Sequence, residues 1–194
     1  MLSHEKTRIN LIGQAGSGKS TISQHLAEHF GFEIFRPSDV IREYAQGRDI
    51  ALKRRQDYVD VHQAMMDEDP DMIVRPVLQS PAARLCIDGL RVPHHAEILQ
   101  RQVGMVTLAL ACPVETRFDR VYNASEWRRY REESQVKTLE EFMADEAADN
   151  DNTDPLLPNV VTIMRMAGTT IDASQPLEVV LRQTELFLGS TIAT

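Results

Sequence analysis

The chain has 194 residues, 42% of them hydrophobic and 26% charged. These are the proportions of an ordinary globular domain, not of a disordered, collagenous or fibrous chain. Lys and Arg number 21 against 29 Asp and Glu, a formal charge of −8, which excludes a general duplex-coating protein because that needs a basic surface. No apolar run approaches the ~18 residues of a membrane span, and residues 1–8 lack the apolar centre of a signal peptide. Cys86 and Cys112 lie in apolar runs without metal-ligand spacing. The expectation is a soluble, cytoplasmic protein with two buried thiols, a monomer or a homodimer.

Residues 8–12 form a short apolar run ending at Gly13 and read as a buried strand. Residues 20–30 read as a helix with Ile22, Leu26 and Phe30 four apart, stopped by Gly31. Residues 32–35 are a second strand, after which Ser38 and Asp39 offer an N-cap for a helix carrying Val40, Ile41 and Tyr44. The polar stretch 47–80 predicts helix with breaks near Pro70 and Pro76, and Met65 and Met66 as core or hinge. A third strand over 84–88 stops at Gly89. A helix over 93–102 follows, with His94 and His95 exposed at its start, and then a fourth strand over 105–111. Helices are expected over 113–122 and 138–148, the latter with Thr138 and Glu141 in capping-box spacing. A loop over 149–158, strands over 160–164 and 170–171, and a helix over 176–188 complete the chain.

This alternation predicts one α/β domain, a three-layer sandwich with a parallel sheet of about five strands and helices on both faces. Two segments stand outside it, about 40–80 and 123–137. Excursions of that length in a single α/β domain serve as substrate covers or lids. The core is then about 6–39, 82–122 and 138–190.

Gly13-Gln14-Ala15-Gly16-Ser17-Gly18-Lys19-Ser20 has the full pattern G-x-x-x-x-G-K-S, with a strand predicted before it and a helix after it. Glycines let the backbone curl so that successive N–H groups converge on one phosphate, and the helix adds its positive end. Gly13, Ala15, Gly16, Ser17, Gly18, Lys19, Ser20 and Thr21 are therefore the candidate phosphate contacts. Lys19 places a cation on the outer phosphates, and the Ser20 hydroxyl can ligate a metal. The expected cofactors are ATP and Mg²⁺. A guanine-reading N-K-x-D is absent, as is L-S-G-G-Q, and the third strand ends Cys-Ile-Asp88-Gly89 without the Asp-Glu pair of motor and remodelling ATPases. A small chain with two lid-like excursions fits a kinase, which must keep water from its phosphoryl group.

Gly31-Phe-Glu-Ile-Phe-Arg-Pro-Ser38-Asp39-Val-Ile-Arg42 resembles the second-strand motif of adenylate kinases, G-[hydrophobic]-x-x-[hydrophobic]-[ST]-x-G-D-x-[LI]-R, with Ser38-Asp39 in place of Gly-Asp. Asp88-Gly89-Leu90-Arg91-Val92-Pro93 resembles their D-G-[hydrophobic]-P-R, with the proline displaced. Pro113-Val-Glu-Thr116-Arg117-Phe118-Asp-Arg120 and Lys137-Thr138-Leu-Glu140-Glu141-Phe142 resemble motifs of nucleotide-kinase-like proteins close to the dephospho-CoA kinases. The resemblance covers most of residues 8–188 and is patchy over 47–80. It implies a P-loop nucleotide kinase. Arg42 and Arg91 would clamp the acceptor's phosphate, Asp39 would stand on the acceptor side, and Asp88 would orient Mg²⁺ or its waters behind Ser20. Arg117 or Arg120 would reach the ATP phosphates or stack near adenine. One of Arg128, Arg129 and Arg131, with Arg128 the candidate, would close from the lid over the transferring group.

The acceptor divides into two readings. A phosphate acceptor needs no general base, only positioning and charge neutralisation, for which Arg42 and Arg91 suffice. That is a (deoxy)nucleoside monophosphate kinase, the reading preferred here. A hydroxyl acceptor needs a carboxylate to take its proton, with Asp39 as the candidate. That is a dephospho-CoA kinase-like enzyme, or one acting on a hydroxymethylated nucleobase in DNA, where nucleic acid would be the partner. A third possibility, a nucleotide-gated binding switch, would bind ATP without turnover.

Overall fold

The computed structural model describes residues 6–53, 55–123, 138–147, 150 and 152–192. The lid segment foreseen over 123–137, with Arg128, Arg129 and Arg131, falls almost wholly outside them.

Strand β1 (Thr7–Ile12) leads to helix α1 (Lys19–Phe30), β2 (Glu33–Phe35), α2 (Pro37–Gln46), α3 (Arg55–Glu68), α4 (Arg75–Gln79) and β3 (Arg84–Asp88). The chain continues through α5 (Pro93–Val103), β4 (Val106–Ala111), α6 (Val114–Asn123), α7 (Leu139–Ala147), α8 (Val160–Met166), β5 (Thr169–Asp172) and α9 (Leu177–Ile192). The five strands form one sheet in the order β2-β3-β1-β4-β5, and every neighbouring pair is parallel. Strand β1 is central, with Leu11 opposite Asp88 on β3 and Leu108 on β4.

The inner strands are buried at most positions because the sheet is covered on both faces. Ile9, Leu11, Cys86, Leu108 and Leu110 pack with α1 and α9 through Ile22, Leu26 and Leu188. Their neighbours Ile12, Leu85, Ile87 and Ala109 turn to the other face, against Val61, Met65, Leu99 and Ile163. The period of two thus sorts one sequence into two cores. Met65 and Met66 are buried, as expected.

Several local expectations are corrected. Residues 160–164 are helix, not strand: Asn159 caps α8 by accepting from the Thr162 N–H at 2.8 Å, and Val160 and Ile163 meet the core on one face. Helix α2 starts two or three residues earlier than Ser38 and Asp39 imply, with Arg36 at the N-cap and Pro37 in its first turn. Pro76 does not break a helix but sits in the first turn of α4, where its missing N–H costs nothing. His95 is fully buried rather than exposed, and Cys112 is only partly buried while Cys86 is enclosed. The capping box of Thr138 and Glu141 forms in both directions, at 3.2 and 3.0 Å.

Candidate active site

The loop from Gly13 to Gly18 joins the end of the central strand to α1. Gly16 has φ 77°, and a Cβ there would lie 2.6 Å from the Arg117 carbonyl oxygen. Gly18, at φ 95°, is the N-cap of α1 and offers no side-chain cap. A Cβ on it would meet nothing within 4 Å, so the loop opens outward at this point. The first-turn N–H groups of Lys19, Ser20 and Thr21 have no helical acceptor by construction, and Ser20 and Thr21 are exposed. The result is an anion cradle.

Lys19 arches back over the loop and donates to the carbonyl oxygens of Gly13 at 2.7 Å and Gln14 at 3.0 Å. Burial pushes its ammonium down to about 8, helped by the positive charge of Arg91 and opposed by Asp88. Asp88 ends β3 with its side chain 6% exposed. Ser23 on α1 places its hydroxyl 3.1 Å from Asp88 Oδ2 and 3.1 Å from the Ser20 carbonyl oxygen, tying the first turn of α1 to the carboxylate. Arg36 Nε approaches the same Oδ2 at 3.7 Å.

On this β2–β3 side stand the remaining acceptor candidates. Arg42 on α2 pairs with Asp39 one turn earlier and reaches the Tyr58 hydroxyl of α3 at 3.4 Å. Both members of the Arg42–Asp39 pair are half exposed. Arg91 is exposed beyond the end of β3, and its backbone is held on two sides. Its carbonyl oxygen accepts from the Asn159 N–H at 2.8 Å, and the preceding Leu90 donates its N–H to buried Asn10 at 3.3 Å.

On the β4–β5 side lies a cavity of about 230 Å³ with Ser17, Gly18, Thr21, Arg120, Gln175 and Val180 in its wall. Arg120 is pinned there, donating to the Ala173 carbonyl oxygen at 2.9 Å. Arg117 does not reach this space. It is 3% exposed and is spent on structure: it donates to the carbonyl oxygens of Cys112 and Ala15, each at 3.0 Å, and forms a two-pronged pair with Glu146 of α7. Of the two arginines considered for the ATP side, Arg120 alone lines the cavity. Arg128 lies outside the described residues.

Sequence reasoning overlooked Arg36, Ser23 and the buried Arg117–Glu146 pair. Arg36 had a visible signal, since it occupies the position where the second-strand motif carries Ser or Thr. Ser23 had none beyond its place one turn after Ser20.

A family model described as an AAA domain matches residues 9–147. This chain belongs to that family. Within it the chain is an ATP-dependent kinase of the P-loop type. An adenylate kinase from Mycobacteroides abscessus is 28% identical over 94% of this chain and 99% of that protein. A UPF0200 protein from Methanothermobacter thermautotrophicus is 28% identical over 71% and 70%. Among solved structures, the shikimate kinase from Acinetobacter baumannii in complex with shikimate superposes with a TM-score of 0.61 at 20% identity, covering 96% of both chains. That likeness carries the fold.

The kinase fold implies Mg²⁺, and the residues fit it. Among the described residues no cluster of three or more His, Cys, Asp or Glu side chains could cage a metal, but a kinase's Mg²⁺ needs only one or two protein oxygens beside the nucleotide phosphates and water. The Ser20 hydroxyl and the Asp88 carboxylate, the latter tied through Ser23 to the Ser20 carbonyl oxygen, are the oxygens that would hold it. No helix among the described residues is long and apolar enough to cross a membrane.

Proposed function

We propose that this kinase transfers the γ-phosphoryl group of ATP in line to the phosphate of a (deoxy)nucleoside monophosphate. The observation that carries the reading is the charge at the acceptor mouth. Arg36, Arg42 and Arg91 all follow the carboxyl ends of β2 and β3 in the chain, and Asp39 pairs with Arg42 and Asp88 with Arg36. Guanidinium forks at this edge suit an anionic acceptor. A hydroxyl acceptor would call instead for a carboxylate free to take a proton. The full-length likeness to an adenylate kinase supports the same choice.

In this mechanism the loop N–H groups of residues 13–21 and Lys19 hold the donor phosphates, and Ser20 and Asp88 would hold the cation, which neutralises charge on the β- and γ-phosphoryl oxygens. Arg120 would present its planar face to the adenine in the cavity beside Thr21 and Gln175. The β1 loop separates this donor side from the acceptor side, where Arg42 and Arg91 orient the incoming phosphate oxygen and the helical segment 40–80 covers it. With a phosphate as nucleophile no proton need be removed, and catalysis is alignment and charge neutralisation.

The test is an acceptor panel with ATP and Mg²⁺: each ribo- and deoxyribonucleoside monophosphate, dephospho-CoA, and DNA with and without hydroxymethylated bases. A nucleoside diphosphate product is expected, and Arg42→Ala should raise the acceptor KM while leaving the ATP KM unchanged. Phosphorylation of a hydroxyl on dephospho-CoA or on a hydroxymethylated base would overturn the reading. It would make Asp39, released from Arg42, the general base.

A further inference from the structure

Arg36 stands at a junction. Its backbone ends β2 and caps α2, its carbonyl oxygen accepting from the Asp39 N–H at 2.9 Å. Its side chain runs to the end of β3. The contact made there with Asp88 is a single one of 3.7 Å, too long for a hydrogen bond. The side chain is 40% exposed against 6% for Asp88. A well-enclosed carboxylate is thus met by a guanidinium that is loosely held and partly exposed to solvent.

The carboxylate it meets is the one that fits the cation of the donor nucleotide. Two cations therefore have a claim on Asp88. Without nucleotide, Arg36 partly neutralises a carboxylate that, among the described residues, would otherwise have the Ser23 hydroxyl and the more distant charge of Lys19. With the donor bound, Asp88 meets a dication held also by Ser20 and the phosphates. A half-exposed, screened guanidinium at 3.7 Å competes weakly with that. Since the Arg36 backbone is fixed by the α2 cap, the exchange moves only a side chain, and it moves into the space where an acceptor enters.

We infer that Arg36 is an exchangeable counter-ion: it pairs with Asp88 while the donor site is empty, and it turns to the acceptor's phosphate when the donor's divalent cation takes Asp88. The second half rests on the phosphate-acceptor reading above; the first does not. Donor and acceptor binding then favour each other, because the same event that satisfies Asp88 frees a phosphate ligand, and linkage makes the effect reciprocal.

Two measurements test it. The rate at which phenylglyoxal modifies Arg36 in the wild-type protein, read by peptide mass spectrometry, should rise on adding Mg²⁺ with the β,γ-imido analogue of ATP. It should not rise with the analogue and a chelator. In parallel, Mn²⁺ affinity of protein loaded with the analogue, read from the electron paramagnetic resonance of free Mn²⁺, should tighten roughly fivefold in Arg36→Gln, since an internal competitor is gone. Arg36→Lys should stay near wild type. An Arg36 reactivity indifferent to Mg²⁺, or Mn²⁺ affinity unchanged or weakened in Arg36→Gln, overturns the exchange. Addition of AMP, CMP, dAMP or dCMP to the Mg²⁺–analogue complex should then slow the modification again. If the metal response stands and no monophosphate on the panel slows it, the acceptor half falls together with the phosphate-acceptor reading, and the exchange at Asp88 survives.

Discussion

At the scale of single residues, charge is held where burial opposes it. Lys19 titrates at about 8 in the nucleotide-free protein, against 10.5 in an unfolded chain, chiefly because it is enclosed over the loop. The folded value is the lower one, so the unfolded chain binds more protons between the two, and the penalty on folding shrinks as pH rises through that window. Donor phosphates reverse the balance by placing negative charge on the ammonium. ATP binding at about pH 9 should therefore take up most of a proton, and the uptake should fall away toward pH 7. Calorimetric binding enthalpies in buffers of different ionisation heat read this directly, and Lys19→Met should show no uptake at either pH. Arg117 is the opposite kind of residue, a buried cation with no place for a ligand. Arg117→Met strands Glu146 and leaves the carbonyl oxygens of Ala15 and Cys112 unmatched, and should cost about 3–5 kcal/mol in urea denaturation. Adding Glu146→Gln should recover part of that loss, because the stranded charge is removed. A full additive cost would mean that the pair is not what holds the loop against α6 and α7.

At the scale of elements, what was legible in the sequence followed from period and punctuation. β1 and β3 announce themselves as short, largely apolar runs closed by Gly13 and Gly89, and α1 by its spacing of four and the stop at Gly31, which takes a left-handed conformation with its N–H on the Leu26 carbonyl oxygen. The short helix α8 was misread because Val160, Val161, Thr162 and Ile163 are β-branched and seven residues are too few for a helical period to stand out. The true signal was the residue before it, Asn159, a preferred N-cap. In the site, the loop residues were legible because a contiguous motif carries them. Arg36 was not, since a motif read by its matches conceals a position that departs from it. Asn159 also joins element to site. Its side chain caps Thr162 and donates to the Asn152 carbonyl oxygen at 2.6 Å, and its backbone holds Arg91. Asn159→Ala should lower stability by about 1–2 kcal/mol and, by loosening Arg91, raise the acceptor KM with the ATP KM unchanged. Equal changes in both constants would remove Arg91 from the acceptor side.

At the scale of the whole molecule, the helical segment over 40–80 is joined to the α/β core through a seam that local pattern could not reveal, because its partners are distant in sequence. His95 on α5 is fully buried and lies 2.7 Å from the Pro70 carbonyl oxygen through Nε2, while Nδ1 has no partner. His62 of α3 is buried beside it, and His94 forms a 3.4 Å pair with Asp71. A carbonyl oxygen only accepts, so Nε2 carries a proton, and burial keeps the ring neutral near pH 7. Burial holds its pKa down to about 4, with the positive charges of His62 and His94 acting the same way, and Pro70 and Asp71 opposing. The unfolded chain takes up this proton near 6.5 and the folded one only near 4, so stability is fully present above about pH 6.5 and is lost as pH falls toward 4, by about 3 kcal/mol at most. Urea midpoints at neutral and at mildly acid pH should show the loss, and His95→Gln, which keeps a donor for Pro70 but cannot titrate, should flatten that part of the profile. The seam also fixes where acid acts first. Charging His95 in place sets an imidazolium among His62 and His94 with no partner for Nδ1, and the cheapest relief is to part Pro70 and α3 from α5 and expose the ring. Amide exchange at mildly acid pH should therefore quicken in α3 and α4 before it quickens in β1 and β3. Uniform quickening across the sheet would mean that the covering segment and the core open as one unit.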